Sequence, residues 1–201
     1  MRKLSYTKAV IICHGKSEVQ ICKYIKQNLR LSIEISARKN GSLPIQINSL
    51  KSYLNNDVYK NLDSFINKFS KVNIVGEGKN QKIENFKFFI IMDTDDCTKE
   101  QREAYSSKEM FKDHWAYEYI VPIYNITNLE DVLKNCSIKC TKNTKNKTST
   151  YIRVFPTDPK YTHSNDRVQL TDFRNKIEKC KYSNMDILID YCLKCKPNNK
   201  N

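Results

Sequence analysis

Two short polar stretches stand directly behind apolar runs, and both carry side chains that bind cations or move protons. The first is "HGKSE", His14 to Glu18, after "AVIIC"; the second is "DTDD", Asp93 to Asp96, after "FKFFIIM". Asp93 and Asp95 are spaced by two, so in extended backbone both carboxylates point to one side. Packed together at the end of an apolar strand they repel each other and lose solvation, a cost that a bound cation removes. Hard oxygen donors of this kind suit Mg²⁺ or Mn²⁺. The same letters also write turns and helix N-caps, so "DTDD" by itself leaves metal site and turn both open.

The elements that must position these groups follow from periodicity. "KAVIIC" (8–13) reads as a buried strand ending at the corner before Gly15, and Ser17 with Gln20 reads as a capping box opening a helix lined by Cys22, Ile25 and Leu29. "LSIEIS" (31–36) alternates as a second strand. Two helical patterns follow, one on Ile47, Leu50 and Leu54, the other on Val58, Leu62, Phe65, Ile66 and Phe69, and "GEGKNQKIEN" reads as a polar loop. "FKFFIIM" (86–92) is the strongest apolar run and the expected central parallel strand. A helix is expected from near Thr98, a fourth strand in "YEYIVPIYN" with Pro122 marking a sheet edge or the end of hydrogen bonding, and a short helix in "NITNLEDVLKN" capped by Asn128. "KCTKNTKNKTST" has no buried pattern, and helices are expected over 168–180 and 185–195.

Alternating strands and helices predict an α/β domain with a mostly parallel central sheet of about four strands flanked by helices. Residues 1–138 form its core, and 139–201 a basic loop and helical extension of the same domain. In such sheets, sites gather at the carboxyl ends of the strands. With the first and third strands central and parallel, His14, Lys16 and Glu18 would converge with Asp93 and Asp95.

Strand, corner and helix at "HGKSE", followed later by "IIMDTDD", resemble the Toprim fold, in the branch of the OLD-like and RloB-like nucleases of phage defence. The likeness covers roughly residues 8–135. It implies a Toprim-like core and divalent-metal-dependent hydrolysis of DNA or RNA phosphodiesters. By matching position, Glu18, Asp93 and Asp95 would hold Mg²⁺ or Mn²⁺, and Glu130 in "NLEDVL" a second metal, with Asp131 as the alternative; both are equally readable as solvated residues of a helix's first turn. His14 departs from the family, which has a glutamate there. Imidazole can ligate Mn²⁺ or act as a base near neutral pH, yet it is a poorer Mg²⁺ ligand than a carboxylate. Lys16 would steady the transition state, or is a solvated loop lysine.

Three readings stay open: a metal-dependent nuclease, a non-catalytic Toprim-like module binding nucleic acid or a partner protein, and a Mg²⁺-dependent phosphatase or phosphotransferase using Asp93 as nucleophile. OLD nucleases carry an ATPase domain, whereas no Walker-type loop is found here, so energy-dependent control would come from a separate ATPase or other defence protein.

Charge bears on the partner. The 201 residues hold 35 Lys and Arg against 22 Asp and Glu, a net charge of +13, which attracts polyanions such as nucleic acid. An abundance of Lys and Asn drifts charge the same way without function, so the excess counts only in part. Lys142, Lys145, Lys147, Arg153, His163 and Arg167 are the candidate phosphate contacts, with Tyr151 and Tyr161 for stacking; a solvated charged loop is the plain alternative. His114 reads as a surface or packing residue.

No window suits a membrane span and charge arrives at Lys16 too early for a signal peptide, so a cytoplasmic protein without membrane contact is expected. Its eight cysteines then read as reduced thiols, with a zinc site on "CSIKC" and "CLKC" as the alternative.

Overall fold

The computed structural model describes residues 5–138 and 166–195. In chain order these are β1 (Ala9–Cys13), α1 (Lys16–Leu29), β2 (Ile33–Ser36), α2 (Ile47–Leu54), α3 (Leu62–Lys68), the hairpin of β3 (Ile74–Val75) and β4 (Lys82–Ile83), and β5 (Lys87–Asp93). Then come α4 (Lys99–Ser106), β6 (Ile120–Asn125), α5 (Leu129–Asn135), α6 (Asp166–Cys180) and α7 (Met185–Cys195). The main sheet has the order β2-β1-β5-β6 with every pair parallel. The expected four-stranded parallel α/β architecture is therefore present, with "KAVIIC" and "FKFFIIM" as its two central strands.

Their sequences are apolar throughout because both faces of the sheet are covered. Ala9, Ile11 and Cys13 of β1, with Phe89 and Ile91 of β5, pack beneath α1, α5, α6 and α7. Val10 and Ile12, with Phe88, Ile90 and Met92, pack on the other face against residues of α2, α3 and α4, including Leu50, Phe65 and Tyr105. Tyr105 is buried, and its hydroxyl donates towards both Ile90 O and Ile123 O, at 2.7 and 2.9 Å, tying α4 to the β5–β6 pair.

Pro122 lies on the sheet edge, as its missing N–H requires. The outward backbone of β6 is satisfied by one side chain from the α6–α7 connection: Asn184 Oδ1 accepts from Tyr124 N at 2.8 Å, and its Nδ2 donates to Pro122 O at 3.0 Å. Ile126 N adds a bond to Tyr182 O at 2.8 Å. The edge is thereby closed against pairing with another strand.

Several local expectations are corrected. α1 is capped by Gly15, not Ser17: only His14 and Gly15 separate it from β1, and Glu18, at its third position, reaches back to Gly15 N. β2 starts at Ile33, and the loop around Gly78 holds the β3–β4 hairpin. The cysteines are not all free thiols. Cys136, at the end of α5, is joined to Cys180, at the end of α6, by a disulfide with the Cα atoms 5.5 Å apart. That pairing removes Cys136 from any zinc site; Cys140 lies outside the described residues, and Cys192 is buried within α7. Among the described residues, no helix is long and apolar enough to cross a membrane.

Candidate active site at the carboxyl ends of the strands

β1 and β5 are adjacent and in register with Cys13 opposite Ile91, so His14 and Asp93 emerge side by side at the same end of the sheet. His14 Nδ1 lies 2.7 Å from Ile45 O. A carbonyl only accepts, so this nitrogen carries the hydrogen, and Nε2 is the one turned to Asp93, 3.8 Å from its Oδ2. The other Asp93 oxygen, Oδ1, accepts from Asn125 Nδ2 at 2.9 Å.

Glu18 is the second buried carboxylate, 2 % exposed against 6 % for Asp93. Its Oε2 accepts from Gly15 N at 2.9 Å. The corner is shaped from outside by residues 38–41, where Lys39, Asn40 and Gly41 are consecutively left-handed, with φ of 45°, 55° and 83°. A Cβ on Gly41 would stand 2.9 Å from Lys16 N and 3.0 Å from Gly15 C, so only glycine lets this turn lie against the corner.

The β6 side is stitched as tightly. Thr94 N donates to Asn125 O and Thr127 O, at 3.1 and 3.0 Å, while its hydroxyl donates to Asn125 O and accepts from Thr127 N, both at 3.1 Å. Thr127 holds a φ of 64°, rare for a β-branched residue, and these bonds fix it there. Asn128 then caps α5 by accepting from Asp131 N at 3.0 Å and donating to Asp131 Oδ2 at 3.2 Å. This occupies Asp131 and leaves Glu130 as the acidic residue whose charge acts on Asp93 and Glu18.

The electrostatics follow from burial. Desolvation, then the nearby charge of Glu18, pushes the Asp93 carboxyl up to about 8; Asn125 opposes the rise, and Asp95 and Glu130 add to it. Burial also raises Glu18, against the pull of backbone N–H groups and His14. Asp96 is raised by burial and by Asp95, and lowered by His14; its Oδ1 is buried without a hydrogen-bond partner.

The expected residues therefore do not share one environment. The structure brings His14, Glu18 and Asp93 together, with the charges of Asp95 and Glu130 acting on Asp93. Lys16, the first residue of α1, is exposed. Asp95 is exposed too: β5 ends at Asp93 and the chain turns through the next residues, so the extended backbone assumed for the pair stops at Asp93, while the charge of Asp95 still acts on it. Arg167 lies in the first turn of α6, where its carbonyl accepts from Thr171 Oγ1 at 2.8 Å. His114 is a packing residue, half-buried, with Nδ1 accepting from Ala116 N at 3.2 Å. Lys142, Lys145, Lys147, Arg153 and His163, with Tyr151 and Tyr161, lie outside the described residues. Sequence reasoning missed Asn125, Ser183 and Asp96. Asn125 left a signal as the polar residue closing the apolar run "IVPIYN", and Asp96 stood within "DTDD"; Ser183 left none.

Among the described residues, no group of three or more His, Cys, Asp and Glu side chains is arranged to hold a metal ion. The donor chemistry nevertheless fits a hard divalent cation. Asp93 and Glu18 are buried carboxylates raised by burial, Glu18 adds its charge against Asp93, and Asp96 offers a buried oxygen with no partner. Gathering a third ligand takes side-chain movement.

No protein-family model, no curated protein and no solved structure matches the chain.

Proposed function

We propose that this chain is a divalent-metal-dependent phosphodiester hydrolase acting on DNA or RNA, built on a Toprim-like core. The observation that carries the reading is the meeting of two buried carboxylates, Asp93 and Glu18, with the imidazole of His14 at the carboxyl ends of adjacent parallel strands. The four-stranded parallel sheet with flanking helices is consistent with that core. The net charge of +13 supports a polyanionic substrate. A cytoplasmic location and a place in anti-phage defence, beside a separate ATPase or other defence protein, belong to the same proposal, the defence role resting on the motif likeness alone.

Asp93 and Glu18 would hold Mg²⁺ or Mn²⁺, helped by Asp95, Asp96 or Glu130. When bound, the metal supplies charge opposite a phosphate oxygen and makes a bound water more acidic. His14, with its Nδ1–H committed to Ile45 O, has Nε2 as the nitrogen that takes or returns a proton. Exposed Lys16, on the rim, offers a cation to a non-bridging phosphate oxygen.

The test is incubation with plasmid DNA, single-stranded DNA and structured RNA in Mg²⁺ or Mn²⁺, beside Asp93→Asn. Cleavage by the wild type that disappears in the variant supports the proposal and names the polymer. Nucleic acid bound but never cut would move the reading to a non-catalytic binding module. One observation favours that second reading: Glu18 caps α1 and His14 ties the corner to Ile45, so both have structural work without chemistry. A phosphoenzyme trapped on the wild type and absent from Asp93→Asn would instead move the reading to a Mg²⁺-dependent phosphatase or phosphotransferase with Asp93 as nucleophile.

A further inference from the structure

The buried polar chain behind Asp93 has a direction. Asn125 closes β6 directly opposite Asp93 in the parallel register and is 0 % exposed. Ser183, 4 % exposed, bridges to Asn125 from the α6–α7 connection. Ser183 Oγ accepts from Met185 N at 3.1 Å and donates its one hydrogen to Asn125 Oδ1 at 2.9 Å. The Asn125 amide is thereby oriented, with Nδ2 donating to Asp93 Oδ1 at 2.9 Å. Turning the amide over would set its oxygen against Asp93 Oδ1 and leave the Ser183 hydroxyl hydrogen facing an NH₂ with no acceptor, so the orientation observed is the one that pairs these buried groups.

We propose that Asn125, oriented by Ser183, is a positioning residue that occupies Asp93 Oδ1, so that Asp93 presents Oδ2 alone, on the His14 side, to whatever the site binds. This rests on the metal-site reading above and adds to it that Asp93 is a one-oxygen ligand, whose free oxygen is chosen by the C-terminal part of the chain. The geometry is consistent on both sides. Oδ2 is the oxygen 3.8 Å from His14 Nε2, and no hydrogen bond to it is present among the described residues. Groups that orient a metal ligand in this way usually change metal affinity by about 10–100-fold when removed.

The test uses the full chain and two readouts. Ser183→Ala removes only the hydroxyl that sets the amide, keeping the backbone bridge; Asn125→Ala removes the amide itself, and circular dichroism establishes that each variant folds. In metal-free protein, the His14 ring nitrogen signals, assigned with His14→Gln, are expected to move in Ser183→Ala while those of His114 stay in place. Mn²⁺ affinity by electron paramagnetic resonance is expected to weaken about tenfold. Ser183→Thr, which returns the hydroxyl, is expected to restore both. Unmoved His14 signals together with wild-type Mn²⁺ affinity in the folded variants overturn the proposal and leave the metal reading standing. A wild type that binds no Mn²⁺, with His14 signals that still move, leaves the positioning standing and removes the metal reading.

Discussion

His14 Nε2 faces Asp93 Oδ2 at 3.8 Å across the ends of β1 and β5, while the other ring nitrogen is held on Ile45 O. The imidazole is thus clamped between the loop before α2 and a carboxylate whose ionisation is opposed by burial and by Glu18. The strained electrostatics of this site have consequences that can be measured without knowing the substrate.

Asp93 should make the metal-free protein less stable as pH rises. Its carboxyl has the ordinary aspartate value of 3.8 when unfolded and is pushed up to about 8 when folded, so the native state holds an extra proton between those values. That stabilising contribution is full below the unfolded value and is lost as pH rises through the folded one, at no more than about 1.4 kcal/mol per pH unit. Urea denaturation in EDTA across this range is expected to show the decline in wild type and its loss in Asp93→Asn, which keeps an acceptor for Asn125. A wild-type curve flat in pH would contradict the burial argument.

His14→Glu should exchange metal-free stability for metal response. A further carboxylate beside Asp93 and Glu18 adds like charge to groups already raised, so the thermal midpoint in EDTA is expected to fall. Added Mg²⁺ should then raise the midpoint by more than in wild type, since ligands that bind only the native state stabilise it by mass action. An unchanged Mg²⁺ response would argue against a cation at this corner.

Gly41→Ala should be far more damaging than Gly78→Ala. Both positions have positive φ, +83° and +53°, but at Gly41 a Cβ also meets Lys16 N at 2.9 Å, whereas at Gly78 nothing lies within 4 Å. Losses of roughly 2–4 kcal/mol and roughly 1 kcal/mol respectively are expected from chemical denaturation. Equal losses would mean that the turn at 38–41 does not press on the corner.

Reduction should loosen the C-terminal helices. The Cys136–Cys180 link closes a loop of sequence separation 44. In the chain-entropy view such a link contributes about 4 kcal/mol through the unfolded state. Denaturation with and without reductant should show a drop of that order in wild type and none in Cys180→Ser.

Much of this arrangement was legible in the linear sequence, because local rules decide it. The apolar runs at 8–13 and 86–92 read as strands covered on both faces, Pro122 as a residue placed where its missing N–H does no harm, and Asn128 as a cap. The convergence of His14 and Glu18 with Asp93 follows once the two strands are neighbours. What tertiary structure alone decided lies where distant segments compete for one polar group. Asp95 is exposed, with only its charge acting on Asp93, because the chain turns after Asp93 under bonds from Thr94 to Asn125 and Thr127. Gly15 displaces Ser17 as the cap because Glu18 reaches back to it within a corner pressed by Gly41. Cys136 meets Cys180, and Ser183 meets Asn125, across separations of 44 and 58 residues, for which no periodicity leaves a trace. Pattern reports which face a residue occupies; which partner satisfies a buried polar atom is settled only when the layers close over it.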